Sequence, residues 1–109
     1  MKRIKFISIE QLLELMENHD KFRLVDVLSE DSFKQGHIPG SINIPVDKLE
    51  KAAGKKLKKT DNVIVYCAGY TCHASTNAAR ILLNMGYKKV LDFKGSKKTW
   101  VDSGFELEK

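Results

Sequence analysis

Short apolar runs alternate with amphipathic stretches along this chain. Residues 63–66 form an uninterrupted apolar run rich in β-branched side chains, which is the pattern of a strand buried on both faces of a parallel sheet. From residue 74 the apolar positions take helical spacing, at Ala74, Ala78, Ile81, Leu82 and Met85. The pattern therefore predicts a strand, a tight loop and a helix in succession between residues 62 and 85.

The same two periods recur on either side of that segment. Apolar or alternating stretches predict four more strands, at residues 4–7, 23–27, 41–44 and 89–93. Ser8 with Gln11 has the spacing of a capping box, and Asp47 with Glu50 predicts another helix start. Strands alternating with helices at this spacing predict one α/β domain over residues 1–109, with a central, mostly parallel five-stranded sheet and helices on both faces.

The chemistry of the chain concentrates in the loop between this strand and helix. Cys67 follows the strand directly, at the end where ligands bind in α/β sheets. Loop N–H groups and the positive end of the helix dipole stabilise an anion there, so we expect the pKa of the Cys67 thiol to be lowered. The alternative is a buried, unreactive cysteine, and Cys72 in particular could simply pack beneath the first helical turn.

The two cysteines also bear on cofactors. A pair five positions apart in one loop indicates sulfur or redox chemistry rather than the disulfide framework of a secreted protein. With His73, Cys67 and Cys72 offer at most three metal ligands, fewer than a closed zinc site needs. We expect no metal and no other cofactor.

The net charge of the chain and its distribution indicate which classes of binding partner to expect. Nineteen Lys and Arg residues against fourteen Asp and Glu residues give a net charge of +5, with much of the excess in residues 48–59 and 88–98. This excess is interpreted either as a solvated surface or as a field that attracts small anions or an acidic partner. We expect no nucleic-acid partner, because basic and aromatic residues are not interleaved as they are in single-strand-binding proteins.

The composition of the chain and the lengths of its apolar runs indicate where in the cell the protein is expected. With 42% hydrophobic and 30% charged residues, the composition is that of a soluble globular protein. No apolar run approaches the length that spans a bilayer, and the first six residues lack the apolar stretch of a signal peptide. We therefore expect a cytoplasmic protein without a membrane partner.

Two polar residues outside the loop are interpreted as structural groups near the site. Asp26 ends an otherwise apolar strand, and because a buried carboxylate needs donors, we expect it to accept from loop N–H groups. His37 lies in the stretch Gly-His-Ile-Pro-Gly at residues 36–40, whose glycines and proline fix the backbone geometry. We interpret His37 as a structural hydrogen-bonding residue rather than a catalytic base.

Three stretches of the chain resemble the single-domain rhodaneses, the thiosulfate sulfurtransferase family, over about residues 8–107. Residues 31–45, Asp-Ser-Phe-Lys-Gln-Gly-His-Ile-Pro-Gly-Ser-Ile-Asn-Ile-Pro, resemble the family's acidic-aromatic, Gly-His-Ile-Pro-Gly-Ala-x-Asn-Ile-Pro signature. Residues 63–67 resemble the strand that delivers its catalytic cysteine. Residues 95–104 resemble its closing Gly-Gly-x-x-x-Trp-x-x-x-Gly, with Ser96 at the second glycine. The resemblance implies the rhodanese-like fold.

The resemblance also implies a cysteine persulfide mechanism. The Cys67 thiolate would attack the outer sulfur of a donor such as thiosulfate and hold that sulfur as a persulfide. The sulfur would then pass to a thiophilic acceptor, which is a thiol, a cyanide-like molecule or a sulfur-carrier protein. The persulfide anion would be cradled by the N–H groups of loop residues Ala68, Gly69, Tyr70, Thr71, Cys72 and His73.

The length of the loop separates this chain from phosphatases that share the fold. Cys67 to Cys72 spans six residues, as in the sulfur-handling members that the chain resembles. The phosphatases carry a longer loop closed by an arginine that clamps phosphate through two hydrogen bonds. His73 stands at the corresponding position, which disfavours phosphatase and arsenate reductase activity.

The chain departs from the family where arginines are common. Many rhodaneses have one arginine directly after the cysteine and another closing the loop, and these positions hold Ala68 and Cys72. The Asp-Val-Arg motif after the second strand reads Asp26, Val27, Leu28. An anion at this site would therefore rely on backbone dipoles and on more distant lysines.

Cys72 suggests a different use of the same loop. Its thiol could attack a persulfide on Cys67, releasing sulfide and leaving a disulfide, or protect Cys67 from over-oxidation by forming the same bond. A dithiol redox protein, or persulfide-reducing protein, that uses both cysteines is therefore one alternative to the sulfurtransferase. A non-catalytic rhodanese-like binding module is another.

Overall fold

A computed structural model describes residues 3–109; Met1 and Lys2, which belong to the predicted domain of residues 1–109, lie outside the described residues. Strands and α-helices alternate along this part of the chain. Their bounds are β1 Lys5–Phe6, α1 Ile9–Glu17, β2 Arg23–Asp26, α2 Glu30–Gln35, β3 Ile42–Asn43, α3 Leu49–Lys56, β4 Asn62–Tyr66, α4 Ala74–Asn84, β5 Lys89–Asp92 and α5 Ser96–Asp102. None of the helices within residues 3–109 has the length and apolar character needed to cross a bilayer.

These strands form one sheet in the order β1-β5-β4-β2-β3, and each pairing between them is parallel. The predicted α/β architecture is confirmed, and the sheet expected to be mostly parallel is parallel throughout the described strands. β4 is central, because its Val65 pairs with Val25 of β2 on one side and with Asp92 of β5 on the other. The carboxyl ends of β2, β4 and β5 therefore meet at one edge of the sheet.

Two apolar layers cover the sheet, one on each face. Val63 and Val65 of β4 are buried in the layer that includes α3 and α4. Ile64 and Tyr66, which point to the opposite face, are buried with residues of α1 and α5. Burial on both faces explains why this strand is apolar at successive positions rather than at alternate ones. Each fully buried aliphatic side chain contributes about 1.5–3 kcal/mol to stability.

One of the two predicted helix starts is confirmed and the other is wrong. The Ser8 hydroxyl accepts from the Gln11 N–H at 3.1 Å, and the Gln11 side chain accepts from the Ser8 N–H at 3.0 Å, which completes the capping box of α1. Asp47 does not cap α3, because it lies within a 3₁₀ turn, Val46–Lys48, that precedes this helix. That turn begins at Pro45, whose carbonyl accepts from the Lys48 N–H at 2.9 Å.

The turn at residues 36–41 is held by a tyrosine from the central strand. The buried hydroxyl of Tyr66 accepts from the Ile38 N–H at 3.0 Å and lies 2.8 Å from the Ser41 hydroxyl. Ser41 donates its own proton to the Ile38 carbonyl at 2.7 Å, so Tyr66 donates to Ser41. Gly40 has a φ of +86°, a conformation that glycine adopts without strain. Burial, together with the negative charge of Asp26, raises the pKa of Tyr66 and keeps it a donor.

Replacing Tyr66 with phenylalanine is expected to lower the free energy of unfolding by about 1–3 kcal/mol, because the buried Ile38 N–H loses its acceptor. Urea denaturation followed by circular dichroism measures this loss. Tyr70→Phe is the matched control, since Tyr70 is 67% exposed and its change should stay within about 0.5 kcal/mol. Equal stability of Tyr66→Phe and the parent protein would show that the turn does not depend on this hydroxyl.

Candidate active site

Cys67 lies directly beyond the carboxyl end of β4, the central strand of the sheet. The connection after β2 leads outward to β3, whereas the connection after β4 leads to β5 on the opposite side. Such a change of direction is where open α/β sheets bind ligands. The Cys67 side chain is fully buried, beneath a loop over residues 68–73 that exposes Ala68, Tyr70, Thr71 and His73.

The loop closes on itself through the backbone of Cys72. The Cys72 N–H donates to the Gly69 carbonyl at 3.0 Å, which forms a tight turn. The Cys72 carbonyl in turn accepts from the Cys67 thiol at 3.5 Å and from the Lys94 ammonium at 2.5 Å. The two cysteines that the sequence singled out are therefore brought together, with a lysine beside them.

Helix α5 holds the start of this loop. Its Lys97 N–H donates to the Cys67 carbonyl at 3.3 Å, and its Lys98 N–H donates to the Ala68 carbonyl at 3.0 Å. These are first-turn N–H groups, which have no partner within their own helix. Gly69 packs against this helix so closely that a Cβ at its position would lie 3.3 Å from the Cβ of Lys98. The loop therefore packs against α5 and also continues directly from β4.

Ser96, which the resemblance aligned with a glycine, binds the N–H of Cys67, the second polar group of that residue's backbone. Its buried hydroxyl accepts from the Cys67 N–H at 2.9 Å and donates to the Phe93 carbonyl at 2.9 Å. The same hydroxyl lies 4.0 Å from the Cys67 sulfur. Ser96 adopts a φ of +59°, in the left-handed region that favours glycine. The left-handed backbone conformation explains why the family motif has a glycine at this position. The two hydrogen bonds of the hydroxyl explain why this chain has a serine there instead.

The expected lowering of the Cys67 pKa is wrong for this resting state. Burial of the thiol raises the pKa of Cys67, and the neighbouring Cys72 side chain raises it further. The hydroxyl and N–H of Ser75 act in the opposite direction but do not overcome these effects. The sequence pattern located the loop around Cys67, but it could not show how completely the sulfur is removed from water.

Cys72 shows the opposite shift. Its burial disfavours the thiolate, but the N–H groups of Ala68 and Ala74, the Cys67 thiol and the Lys94 ammonium together lower the pKa of Cys72. Cys72 is half-buried rather than packed out of reach beneath the helix. In the resting site, negative charge is therefore better accommodated on Cys72 than on Cys67.

Ser75 is a site residue that the sequence analysis missed. It lies in the first turn of α4, is fully buried, and helps to lower the pKa of Cys67. Its hydroxyl oxygen makes no hydrogen bond to the described residues, so its proton is free to face the sulfur. A signal was present, because Ser75 interrupts the apolar face that it shares with Ala78, Ala79 and Leu82.

Lys94 was not singled out either, although its position carried a signal. The predicted strand at residues 89–93 places Lys94 immediately beyond the carboxyl end of that strand. Parallel strands bring that end to the same edge as Cys67. The sequence analysis includes Lys94 only in the basic segment 88–98, interpreted as a solvated surface or as a field that attracts small anions or an acidic partner, because spacing along the chain does not show which lysine points toward the loop.

Asp26 lies at the same edge, at the end of β2. One carboxylate oxygen accepts from the Leu28 N–H at 2.9 Å, a loop donor of the predicted kind. The other oxygen is 3.6 Å from the Lys97 ammonium and makes no hydrogen bond within residues 3–109. The ammonium of Lys97 also donates to the Ser32 carbonyl at 3.2 Å. Lys97 of α5 therefore links Asp26 of β2 to Ser32 of α2 beside the loop.

His37 makes structural contacts with two neighbours, Phe33 and Glu108. Its ring stacks on Phe33 with centroids 3.8 Å apart, and its Nδ1 lies 2.9 Å from the Phe33 carbonyl. Its backbone forms an antiparallel bridge with Glu108 through hydrogen bonds of 2.9 and 2.8 Å. These contacts tie the turn at residues 36–41 to the C-terminal segment.

Three buried polar atoms at this edge lack hydrogen bonds to the described residues. They are Oδ2 of Asp26, Oγ of Ser75 and Oδ1 of Asp92. The other oxygen of Asp92 accepts from the Thr76 hydroxyl at 2.7 Å. Among residues 3–109 no group of three or more His, Cys, Asp and Glu side chains could hold a metal ion.

Comparisons with known proteins agree over nearly the whole chain. The family described as Rhodanese-like domain matches residues 8–103. The "Putative thiosulfate sulfurtransferase, mitochondrial" of Schizosaccharomyces pombe is 40% identical over 117 residues, covering 94% of this chain and 81% of that protein. Thiosulfate sulfurtransferase GlpE of Coxiella burnetii is 31% identical over 96 residues, covering 88% and 86%. The solved rhodanese-like domain of the Anabaena sp. protein Alr3790 superposes with a TM-score of 0.86 at 25% identity, covering 97% of this chain and 80% of that one.

The conformation of Ser96 can be tested with two substitutions that both remove its hydroxyl. Alanine in the left-handed region adds strain of about 1 kcal/mol that glycine avoids. Ser96→Ala should therefore be less stable than Ser96→Gly, which reverses the usual preference for alanine in helices. Urea denaturation of both variants measures the order. An alanine variant as stable as the glycine variant would contradict the strained conformation.

The opposite pKa shifts predict the order in which the two thiols react. Iodoacetamide, which reacts with thiolates, should modify Cys72 at lower pH than Cys67. Cys72→Ser should lower the pKa of Cys67, because it removes a neighbour that raises it. Rates measured from pH 6 to 10 by mass spectrometry of the modified peptides give both midpoints. An unchanged Cys67 midpoint in Cys72→Ser, or faster reaction of Cys67 near neutral pH, would refute this assignment.

Proposed function

Because the chain belongs to the rhodanese-like domain family, we propose that it is a sulfurtransferase whose nucleophile is Cys67. The relatives named as thiosulfate sulfurtransferases support this activity, since they match over most of their own length. The observation that carries the proposal is a single buried thiol at the carboxyl end of the central strand, enclosed by a six-residue loop. The donor is a small sulfane-sulfur anion such as thiosulfate or another persulfide donor.

The first half-reaction transfers one sulfur atom to the protein. The Cys67 thiolate attacks the outer sulfur of thiosulfate and forms a new S–S bond. The bond between the outer sulfur and the sulfonyl sulfur breaks, and sulfite leaves with the electron pair. Three negative charges enter this step, one on the thiolate and two on thiosulfate, and three remain, one on the persulfide and two on sulfite.

The second half-reaction returns the enzyme to its starting state. A thiolate or cyanide-like acceptor attacks the terminal sulfur of the Cys67 persulfide, and the Cys67 thiolate leaves. A sulfur-carrier protein with an accessible thiol would serve in the same way. The two cysteines are free thiols, a state that a reducing compartment such as the cytoplasm maintains.

The geometry of the loop supports the persulfide better than the bare thiolate. The terminal sulfur lies about 2 Å from Sγ along the new bond, away from the fully buried position of Cys67. The resemblance implies that N–H groups of the loop would stabilise charge on that atom, although the Cys72 N–H already donates to the Gly69 carbonyl. The free hydroxyl of Ser75 provides one more donor beneath the loop.

The proximity of the two cysteines favours one alternative function. The Cys67 thiol and the Cys72 backbone are in contact, and the pKa of Cys72 is lowered. The Cys72 thiolate would attack Sγ of a protonated Cys67 persulfide, forming a disulfide while hydrosulfide ion leaves with the electron pair. A cellular dithiol would then have to reduce the disulfide, so this function is a thiol-consuming persulfide reductase.

Intact-protein mass spectrometry after incubation with thiosulfate tests the proposal. We expect the reduced protein to gain one sulfur atom that cyanide removes. Cys67→Ser should abolish the gain and reduce turnover about 10³-fold or more, because the nucleophile is lost. Cys72→Ser should retain the gain and most of the turnover.

Other outcomes point to the alternatives. Loss of two hydrogens with a Cys67–Cys72 crosslink, and loss of turnover in Cys72→Ser, would replace the sulfurtransferase with the dithiol mechanism. No mass change with thiosulfate or with any other persulfide donor would leave a non-catalytic binding module.

A further inference from the structure

The loop carries no arginine, but Lys94, which follows β5, contacts the loop backbone near the Cys67 sulfur. The Lys94 ammonium donates to the Cys72 carbonyl at 2.5 Å, and the Cys67 thiol reaches the same oxygen at 3.5 Å. The separation of Nζ from Sγ cannot exceed the sum of these two distances, about 6 Å. A unit positive charge at this distance acts strongly on any anion that reacts with the sulfur.

The charge of Lys94 differs from that of its neighbours in having no carboxylate partner. Lys97 pairs with Asp26 at 3.6 Å, and Lys98 pairs with Asp102 at 2.9 Å. Within residues 3–109, Lys94 forms no such ion pair, and its hydrogen bond goes to a neutral carbonyl. Its positive charge therefore remains available to an incoming anion, whereas the other two are largely neutralised.

Lys94 also borders a depression in the surface next to the loop. Tyr70, Lys94 and Gly95 line one side of it, and residues 6–8 with Gln11 line the other. The lysine is only partly buried, so its ammonium can contact both the loop and a molecule entering from this depression.

We propose that Lys94 is the anion-binding residue of the site and selects sulfur donors that already carry a charged sulfonate oxygen before the sulfur is transferred, as thiosulfate does. This inference rests on the proposed sulfurtransferase function and adds a donor class to it. In the transfer step, the sulfonate oxygens of the donor contact the Lys94 ammonium while Cys67 bonds to the outer sulfur. Sulfite departs with the electron pair of the broken S–S bond, and the lysine stabilises its growing charge.

Alkylation of Cys67 tests the charge of the site without any sulfur transfer. Iodoacetate is an anion and iodoacetamide is its neutral analogue, so the ratio of their rates at Cys67 reports local attraction of anions. The ratio cancels changes in thiolate fraction, because both reagents need the same thiolate. Lys94→Gln should lower the ratio about threefold or more, as expected for the loss of one nearby, partly solvated charge.

Two further variants make this comparison specific. Lys94→Arg keeps the charge and should keep the ratio. Lys89→Gln removes an exposed charge at the amino end of the same strand, so it should behave like the parent protein. A ratio in Lys94→Gln equal to that of the parent would overturn the proposal, with circular dichroism showing that the variant is folded.

Donor kinetics then assign the contact to the oxyanion. Thiosulfate carries two negative charges, whereas methanethiosulfonate has a methyl group in place of one oxyanion and carries one. Lys94→Gln should raise KM about tenfold for thiosulfate, as expected for losing a charge-assisted hydrogen bond, and much less for methanethiosulfonate. Equal losses for both donors would refute the donor selection, and so would a parent protein that takes sulfur only from donors without a sulfonate group. A parent protein that takes sulfur from no persulfide donor would refute the sulfurtransferase function itself.

Discussion

The pairing of β4 on both sides is the constraint on which the site depends. Hydrogen bonds to β2 and β5 fix the direction and register of this strand, and apolar layers on both faces prevent it from shifting. Its next residue, Cys67, therefore enters the loop at a fixed position. Helix α5 adds the second restraint, since it binds the Cys67 N–H through Ser96 and the carbonyl through Lys97. Both polar groups of the Cys67 backbone are therefore held, and with them the proposed nucleophile.

The loop sequence suggested that negative charge would be favoured on Cys67, and the structure shows a different distribution of charge. Negative charge in the resting site is favoured on Cys72, near the Lys94 ammonium, while the fully buried Cys67 is disfavoured as a thiolate. Burial of the Cys67 thiol disfavours its charged form and so raises its pKa. Lys94, which lowers the pKa of Cys72, belongs to the segment after β5 and not to the loop.

Local patterns predicted the elements and the position of Cys67, because strand and helix periods are properties of short segments. The capping box at Ser8 was predicted correctly for the same reason. The prediction that Asp47 starts a helix was wrong, because the 3₁₀ turn that begins at Pro45 precedes α3 and contains Asp47. Ser75 and Lys94 become site residues only when α4 and β5 lie beside the loop. The pKa of Cys67 likewise depends on complete burial, which is a property of the assembled fold and not of the loop sequence.

The buried polar atoms at the carboxyl edge have a consequence for adaptation to heat. Oxygens of Asp26, Ser75 and Asp92 lack hydrogen bonds to residues 3–109, and such atoms usually lower folding stability. Substituting an apolar side chain of similar size for Ser75 would favour survival at high temperature, because its hydroxyl has no partner to lose, while removing a polar group beside Cys67. Asp26 and Asp92 keep other partners that such a change would leave unpaired. Selection for thermal tolerance would therefore oppose selection for turnover at this edge, and heat-adapted descendants should gain their stability at the opposite end of the sheet.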